Sequence, residues 1–286
     1  MVRQKTIGFL KLLKNWYSGA RQDGRTLGYW NALRWHSVPL WNQIFYYIGK
    51  SPRFSPIKVE LYGKPVWLRP RTSDGYIYRQ IFRDEEYGDI DANAEVKFVL
   101  DCGANIGLAS IYFLNRFPGS RVLAVEPDPD NASMCRRNLL PYGERAVVLE
   151  GGVWSRCGRL TVFPSEFGSG QKCGMQVRPF QHGDCEQATV DAFDIPSLMA
   201  YGGAEQVDIL KLDIERSELA LFSSSPEIWL SHVRNLIIEL HDEECSRVFF
   251  SALEKYDYQL LSRGDLTYCL DLRQRPPARL PKETVL

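Results

Sequence analysis

The sequence predicts an α/β protein: a mostly parallel sheet with helices on both faces. Three observations predict it. From Lys97 onward, short apolar runs alternate with amphipathic segments of helical period. The runs "KFVLDC", "RVLAVEP", "VDILKL" and "NLIIELH" are continuously apolar rather than alternating, the pattern of strands buried on both faces. Near its end the chain reads "YQLLSRGDLTYCLDL", a hairpin turning at Gly264-Asp265 that adds antiparallel strands.

The elements follow in order. Residues 1–56 form a first region of different material. Phe9, Leu12, Leu13 and Trp16 recur at helical spacing, a second aromatic segment runs from Tyr29 to Ile48, and Pro52 and Pro56 mark a break. Eight Lys and Arg against the single acid Asp23 give residues 1–50 a net charge of +7; the whole chain is neutral, so the remainder carries −7. Residues 57–286 form the second region. "IKVELYGKPVWLRP" reads as a hairpin turning at Gly63-Lys64, followed by a helix around Tyr76 to Arg83. "KFVLDC" is then a strand, "IGLASIYFLNRF" a helix, "RVLAVEP" a strand, and "PDNASMCRRNLL" a helix capped by Asp128 or Asp130. "AVVLEGGVW" and "RLTVF" are extended, and the Gly-rich stretch from Pro164 to Gln187 is a long loop. "VDILKLDIE" is a strand leading into a helix through Glu218 to Phe222; "NLIIELH" is a strand and "CSRVFFSALEKY" a helix.

Composition bounds the function. At 286 residues, 44% hydrophobic and 24% charged, the chain buries a sizeable core. No apolar run approaches the roughly 20 residues of a membrane helix, and Lys11 and Lys14 break any signal-peptide pattern, so the cytoplasm is the expected compartment. The basic, aromatic residues 1–50 suit a helical lid, a docking segment, or peripheral contact with an anionic membrane surface. Nucleic acid is not an expected partner, because the rest of the chain is acidic. Seven scattered cysteines without a CxxC pair are expected to be reduced and mostly buried, not zinc ligands.

In parallel sheets the ligand lies beyond the carboxyl ends of the strands. Asp101, Glu126, Trp154, Asp213 and His241 stand at such ends. After the first of these strands comes Asp101-Cys102-Gly103-Ala104-Asn105-Ile106-Gly107. Gly103 and Gly107 are expected to let the backbone approach a nucleotide-like cofactor at a helix N-terminus. Glu126 stands where such folds place the acid that binds ribose hydroxyls. The middle glycine of a dinucleotide loop is missing and Asn105 stands in the turn, so the loop suits S-adenosylmethionine better than NAD: a strand-end acid for its ammonium, backbone N–H groups for its carboxylate. An NAD-dependent oxidoreductase and a cofactor-binding protein without turnover are the alternatives.

The sequence resembles the FkbM-type methyltransferases. The resemblance rests on "VLDCGANIGLASIYF", "VLAVEPDPDN", "VDILKLDIERSEL" and "LIIELH", with weaker likeness in "RTSDGYIYRQIFRDEEYG" and "GGVWSRCGRLTVF", and covers roughly residues 65–272. It implies the seven-stranded, Rossmann-like class I methyltransferase fold, with S-adenosylmethionine over Asp101, Gly103, Asn105, Gly107 and Glu126. It also implies mostly O-methylation, on glycans, polyketides or other small molecules; a sugar hydroxyl is the first expectation. The family's usual D-x-E-G reads Asp213-Ile214-Glu215-Arg216 here, an arginine in place of the glycine.

For the chemistry, Asp213 and His241 are the expected catalytic residues, flanking an acceptor hydroxyl. Asp213 is expected to face the cleft and Glu215 to point elsewhere. A neutral His241 suits proton acceptance. The two acids Asp213 and Glu215 are of a type that holds Mg²⁺, the less favoured reading. Trp154 is expected against the adenine, and Asp74 and Tyr87 are expected to close over the cofactor.

Overall fold

The structure, a computed structural model, describes residues 56–70, 72–91, 93–164, 175–185 and 188–276. The helical N-terminal extension, its membrane contact and Cys173 lie outside the described residues. None of the six described cysteines is in a disulfide, and four of them are buried. No described helix is long and apolar enough to cross a membrane.

The described chain opens with β1 (Ile57–Leu61) and β2 (Lys64–Leu68), an antiparallel hairpin. Its turn is Tyr62-Gly63, both at positive φ, one residue earlier than the spacing predicts. Helix α1 (Asp74–Phe82) comes next. The alternating run then begins: β3 (Phe98–Cys102), α2 (Leu108–Arg116), β4 (Arg121–Glu126), α3 (Pro129–Leu139) and β5 (Ala146–Glu150). Asp128 caps α3, accepting a hydrogen bond from Asn131 N at 2.8 Å, and Pro129 opens its first turn.

Here the chain departs from expectation. "AVVLEGGVW" is not one strand. It breaks at Gly151, and β6 (Gly152–Val153) joins a separate four-stranded sheet with β7 (Gly158–Pro164), β8 (Met175–Pro179) and β9 (Thr189–Phe193), in the order β6-β9-β7-β8. Strand β8 lies inside the stretch expected to be loop. It pairs antiparallel with β7 from Leu160↔Pro179 to Pro164↔Met175, and of its side chains only Val177 is buried. A strand with one buried side chain leaves no apolar signature. Helix α4 (Ile195–Tyr201), capped by Asp194, leads back to the main sheet.

The remaining elements are β10 (Val207–Leu212), α5 (Ser217–Phe222), α6 (Glu227–Leu230), β11 (Val233–Glu239), α7 (Glu243–Ala252), β12 (Tyr256–Arg263) and β13 (Leu266–Gln274). The main sheet has seven strands in the order β12-β13-β11-β10-β3-β4-β5. From β11 to β5 the pairings are parallel, and the closing hairpin is antiparallel. Alternate side chains of one strand enter different cores. Val99, Ile209 and Ile237 pack on one face with Ile111, Phe113 and Leu114 of α2. Leu100, Leu210 and Leu236 pack on the other with Leu221, Trp229 and Phe249. This is the Rossmann-like class I arrangement. Strands β4 and β10 lie on opposite sides of β3, so the chain changes winding direction there and opens a crevice at the strand ends.

The turn after β3 is tied to both neighbours. Gly103 N and Ala104 N donate to Val125 O of β4, at 2.9 and 3.0 Å, while Asp213 N donates to Cys102 O at 3.1 Å. This tight seam gives the glycines a different reason from the expected one. Gly103 has φ 76°, and a β-carbon there would overlap the Asp213 carbonyl oxygen. Gly107, the αL residue before α2, would place a β-carbon 2.9 Å from Cys135 Sγ and 3.3 Å from Leu139 Cγ of α3. Both are bare so that protein can pack on protein. Gly103→Ala is therefore expected to destabilise the ligand-free protein by about 3 kcal/mol or more, combining a forced backbone shift with positive-φ strain. Chemical denaturation without ligand checks this; wild-type stability would show that the glycine is needed only for a ligand.

Candidate functional site

A cavity opens at the carboxyl ends of β3, β4, β10 and β11, where the winding direction changes. One wall is the turn from Gly103 to Asn105 with the start of α2; the second is Val125 and Glu126; the third is Gly151 to Val153 with Met175 and Val177 of the small sheet. Lys211, Asp213, Glu215 and Glu239 close the side toward β10 and β11, and Glu86, Tyr87 and Asp265 reach over it.

Glu126 ends β4 and is 5% exposed. Its Oε2 accepts from Asn105 N at 2.7 Å and its Oε1 from Asp128 N at 2.9 Å. Asn105 reaches it from a left-handed backbone, φ 50°. The carboxylate thus staples the turn after β3 to the start of α3. Burial raises its pKa to about 7, against the lowering effect of those N–H donors.

Asp101 is placed differently. It is fully buried and does not line the cavity. Ser110 Oγ donates to its Oδ2 at 2.6 Å, and Lys211 Nζ lies 3.3 Å from its Oδ1. Lys211 is its in-register neighbour on β10, so the two side chains share a face. Lys211 Nζ also donates to Gly103 O at 2.7 Å and lies 3.6 Å from Asp213 Oδ2. Burial works against its charge, but Asp101 and Asp213 outweigh it and raise its pKa. Sequence reasoning missed this residue, although a lysine between Leu210 and Leu212 in a central strand is itself a signal.

Gly103 and Asn105 line the cavity; Gly107 does not. Trp154 also lies away from it, its ring against the small cluster of Leu160, Val177 and Ala192. Asp74 is held by Arg69, whose Nη2 and Nε donate to it at 2.9 and 3.0 Å, and is not in the wall, whereas Tyr87 is.

Asp213 and Glu215 both line the cavity, against expectation: residues two apart in extended chain share a face, and the backbone turns left-handed only at Glu215 (φ 51°) and Arg216 (φ 75°). Arg216 occupies a left-handed conformation that a glycine would adopt freely. Its side chain turns away from the cavity and forms an ion pair with Asp242 Oδ2 at 2.7 Å, at the start of α7, so it does not obstruct access.

His241 lies behind the acids rather than in the cavity wall. Its Nδ1 is 3.3 Å from Glu218 Oε1, and its Nε2 is 3.7 Å from Glu215, 3.9 Å from Asp213 and 4.0 Å from Glu239. Burial lowers its pKa, but Glu218, Asp213 and Glu239 outweigh it and raise it to about 9. The imidazole therefore holds a proton at neutral pH and is not the free base that the sequence suggests. Burial first, then Asp213, lifts Glu215 and Glu239 to about 7. Glu239, Glu215 and Glu218 complete the cluster. The sequence flagged Asp213 and His241 for catalysis and Asp213 with Glu215 for a cation; it did not single out Glu239 or Glu218 for the site.

Residues 101–265 match the methyltransferase FkbM domain. The chain belongs to this methyltransferase family. It is 28% identical to "Methyltransferase sdnD" of Sordaria araneosa over 62% of this chain and 79% of that one. It is 26% identical to the "2-O-methyltransferase NoeI" of Sinorhizobium fredii over 62% of this chain and 74% of that one. The crystal structure of a methyltransferase FkbM from Methylobacillus flagellatus aligns over 67% of this chain and 47% of its own, with TM-score 0.47 and 18% identity.

Two measurements check this FkbM-domain site. Arg216→Gly and Arg216→Ala both lose the ion pair with Asp242, but only glycine relieves the left-handed backbone. The glycine variant is expected to be more stable than the alanine variant by about 1 kcal/mol in denaturant unfolding; the reverse order would show that residue 216 is unstrained. Glu126 provides the second. Its folded pKa is raised above its unfolded value, so its contribution to stability is full below about pH 4.5 and lost as pH rises through about 7. Glu126→Gln is expected to remove a decline on the order of 3 kcal/mol from the stability–pH curve over that window. Parallel curves for the two proteins would refute the shift.

Proposed function

We propose that this FkbM-domain protein is an S-adenosylmethionine-dependent O-methyltransferase whose acceptor is a hydroxyl of a sugar, glycan or other small molecule. The observation that carries the reading is the buried Glu126 carboxylate in the cavity wall, pinned against the turn after β3 with accepting capacity to spare. The walls fit the cofactor. Glu126 would take the ribose hydroxyls. Val125, Val153, Met175 and Val177 offer an apolar slot for adenine. Backbone N–H groups at the start of α2 suit the cofactor's carboxylate.

S-adenosylmethionine supplies an electrophilic methyl carbon on a sulfonium. The chain's own residues contribute position and charge. Lys211 fixes the turn and Asp213 relative to each other through its contacts with Gly103 O and both aspartates. Asp213, Glu215 and Glu239 face the open side, where they orient a hydroxyl for in-line attack, and a carboxylate of this group takes its proton. Among the described residues, Lys211 is the one basic side chain that lines the cavity, against six acids. That balance supports neutral or cationic acceptors and argues against phosphate-rich ones such as nucleic acids. The 2-O-methyltransferase relative supports a hydroxyl acceptor.

Titration calorimetry tests the reading. S-adenosylhomocysteine is expected to bind with a Kd of roughly micromolar order, and NAD not to bind. Affinity should rise with pH up to about 7, because hydroxyl donors favour the charged Glu126, and Glu126→Gln should cost about 1–3 kcal/mol. NAD binding without S-adenosylhomocysteine binding would overturn the assignment.

A further inference from the structure

We infer that Asp213, Glu239 and His241 form a binding site for one first-row divalent cation of the Mn²⁺ type at the open side of the cavity. One donor atom from each residue lies within 4.8 Å of the others. Donors around a single ion stand at most about 4.4 Å apart when each bond is roughly 2.2 Å. Closing the cluster therefore takes only small side-chain rotations.

Two features beyond the cluster point to a ligand. The first is the orientation of the imidazole. Glu218 has a completely buried side chain, and its Oε1 stands 3.3 Å from Nδ1, so a carboxylate backs that side of the ring. The Nε2 atom is left to face Asp213, Glu239 and Glu215. A carboxylate behind a histidine whose other nitrogen points at acids is the arrangement that orients metal-binding imidazoles.

The second feature is charge. Asp101, Asp213, Glu215, Glu218 and Glu239 gather round Lys211 and His241, and an ion bound at Nε2 takes the place of the imidazole proton, which is released. Arg216, the nearest arginine in sequence, is paired with Asp242 and Glu244 instead. Half-buried carboxylates in excess require a counter-charge. A dication supplies it, and one imidazole with two carboxylates selects a metal of the Mn²⁺ to Zn²⁺ series over Mg²⁺.

Glu215 stands beside these ligands and lines the cavity, placed to accept the proton of a hydroxyl held on the ion. This use of the ion rests on the methyl-transfer reading; the site itself does not.

The test uses the full chain, freed of metal by chelator dialysis and titrated with Mn²⁺ while free Mn²⁺ is read by electron paramagnetic resonance. One site per chain is expected. Asp213→Asn, Glu239→Gln and His241→Asn should each weaken it at least tenfold, while Asp257→Asn, an exposed acid elsewhere, should not. In the wild-type protein, bound Mn²⁺ should broaden the ring resonances of His241 selectively among the four histidines. Zn²⁺ should displace Mn²⁺ at lower concentration than Mg²⁺ does. Absence of stoichiometric binding, retention of binding in the three variants, or an unaffected His241 ring would overturn the site. S-adenosylhomocysteine titrated with and without Mn²⁺ separates the two readings: its failure to bind sinks the methyl donor and leaves the metal result standing.

Discussion

The structure depends on one buried ion pair, Lys211 with Asp101, set side by side in the parallel register of β10 and β3. Asp101 is fully buried and Lys211 nearly so, showing only a sliver to the cavity, so both charges have largely left water at a cost of several kcal/mol each. Close partners sustain them. The ammonium also donates to Gly103 O, and Asp101 accepts from Ser110 of α2. Such a pair is weak evidence for stability, since a well-packed apolar pair would hold the strands as firmly. Its value lies in the parts it locates. It fixes a turn, a helix start and the end of a neighbouring strand in one frame, and these form the cavity's walls.

Around that frame the charges are graded. Deep in the wall, Glu126 is satisfied by backbone N–H groups and costs mainly desolvation. Toward the open side, Asp213, Glu215 and Glu239 crowd one another, and it is their partial burial and mutual repulsion that lift two of them toward neutrality. A protein that sought only stability would not place acids this way. The arrangement stores unfavourable energy at the strand ends, which a suitably charged or hydrogen-bonding guest relieves.

The parts of this protein that were legible in the sequence are those where a local pattern and the global fold agree. The β3-α2-β4-α3 run was plain, because a strand buried on both faces must be continuously apolar and Asp128 stands where a helix start needs a cap. Glu126 was legible for the same reason. The small sheet was not, since β8 buries only Val177 and β6 is two residues long, too short for a period to show. Glu215 was misassigned because residues two apart in extended chain share a face, so it belongs with Asp213 rather than opposite it. The glycines were correctly marked as special for a different reason: the atoms crowding them come from strands and helices far along the chain. His241 does lie near Asp213, but its charge depends on Glu218, which only the helical turn brings underneath it.

The order β10-β3-β4 also bears on how the chain is made. Strand β3 leaves the ribosome early, and its partner β10 comes more than a hundred residues later, after the small sheet has been synthesised. Until Lys211 emerges, Asp101 sits in an apolar strand with no counter-charge. Packing β3 against its helices before that point would bury the Asp101 carboxylate without its counter-charge, at a cost of several kcal/mol.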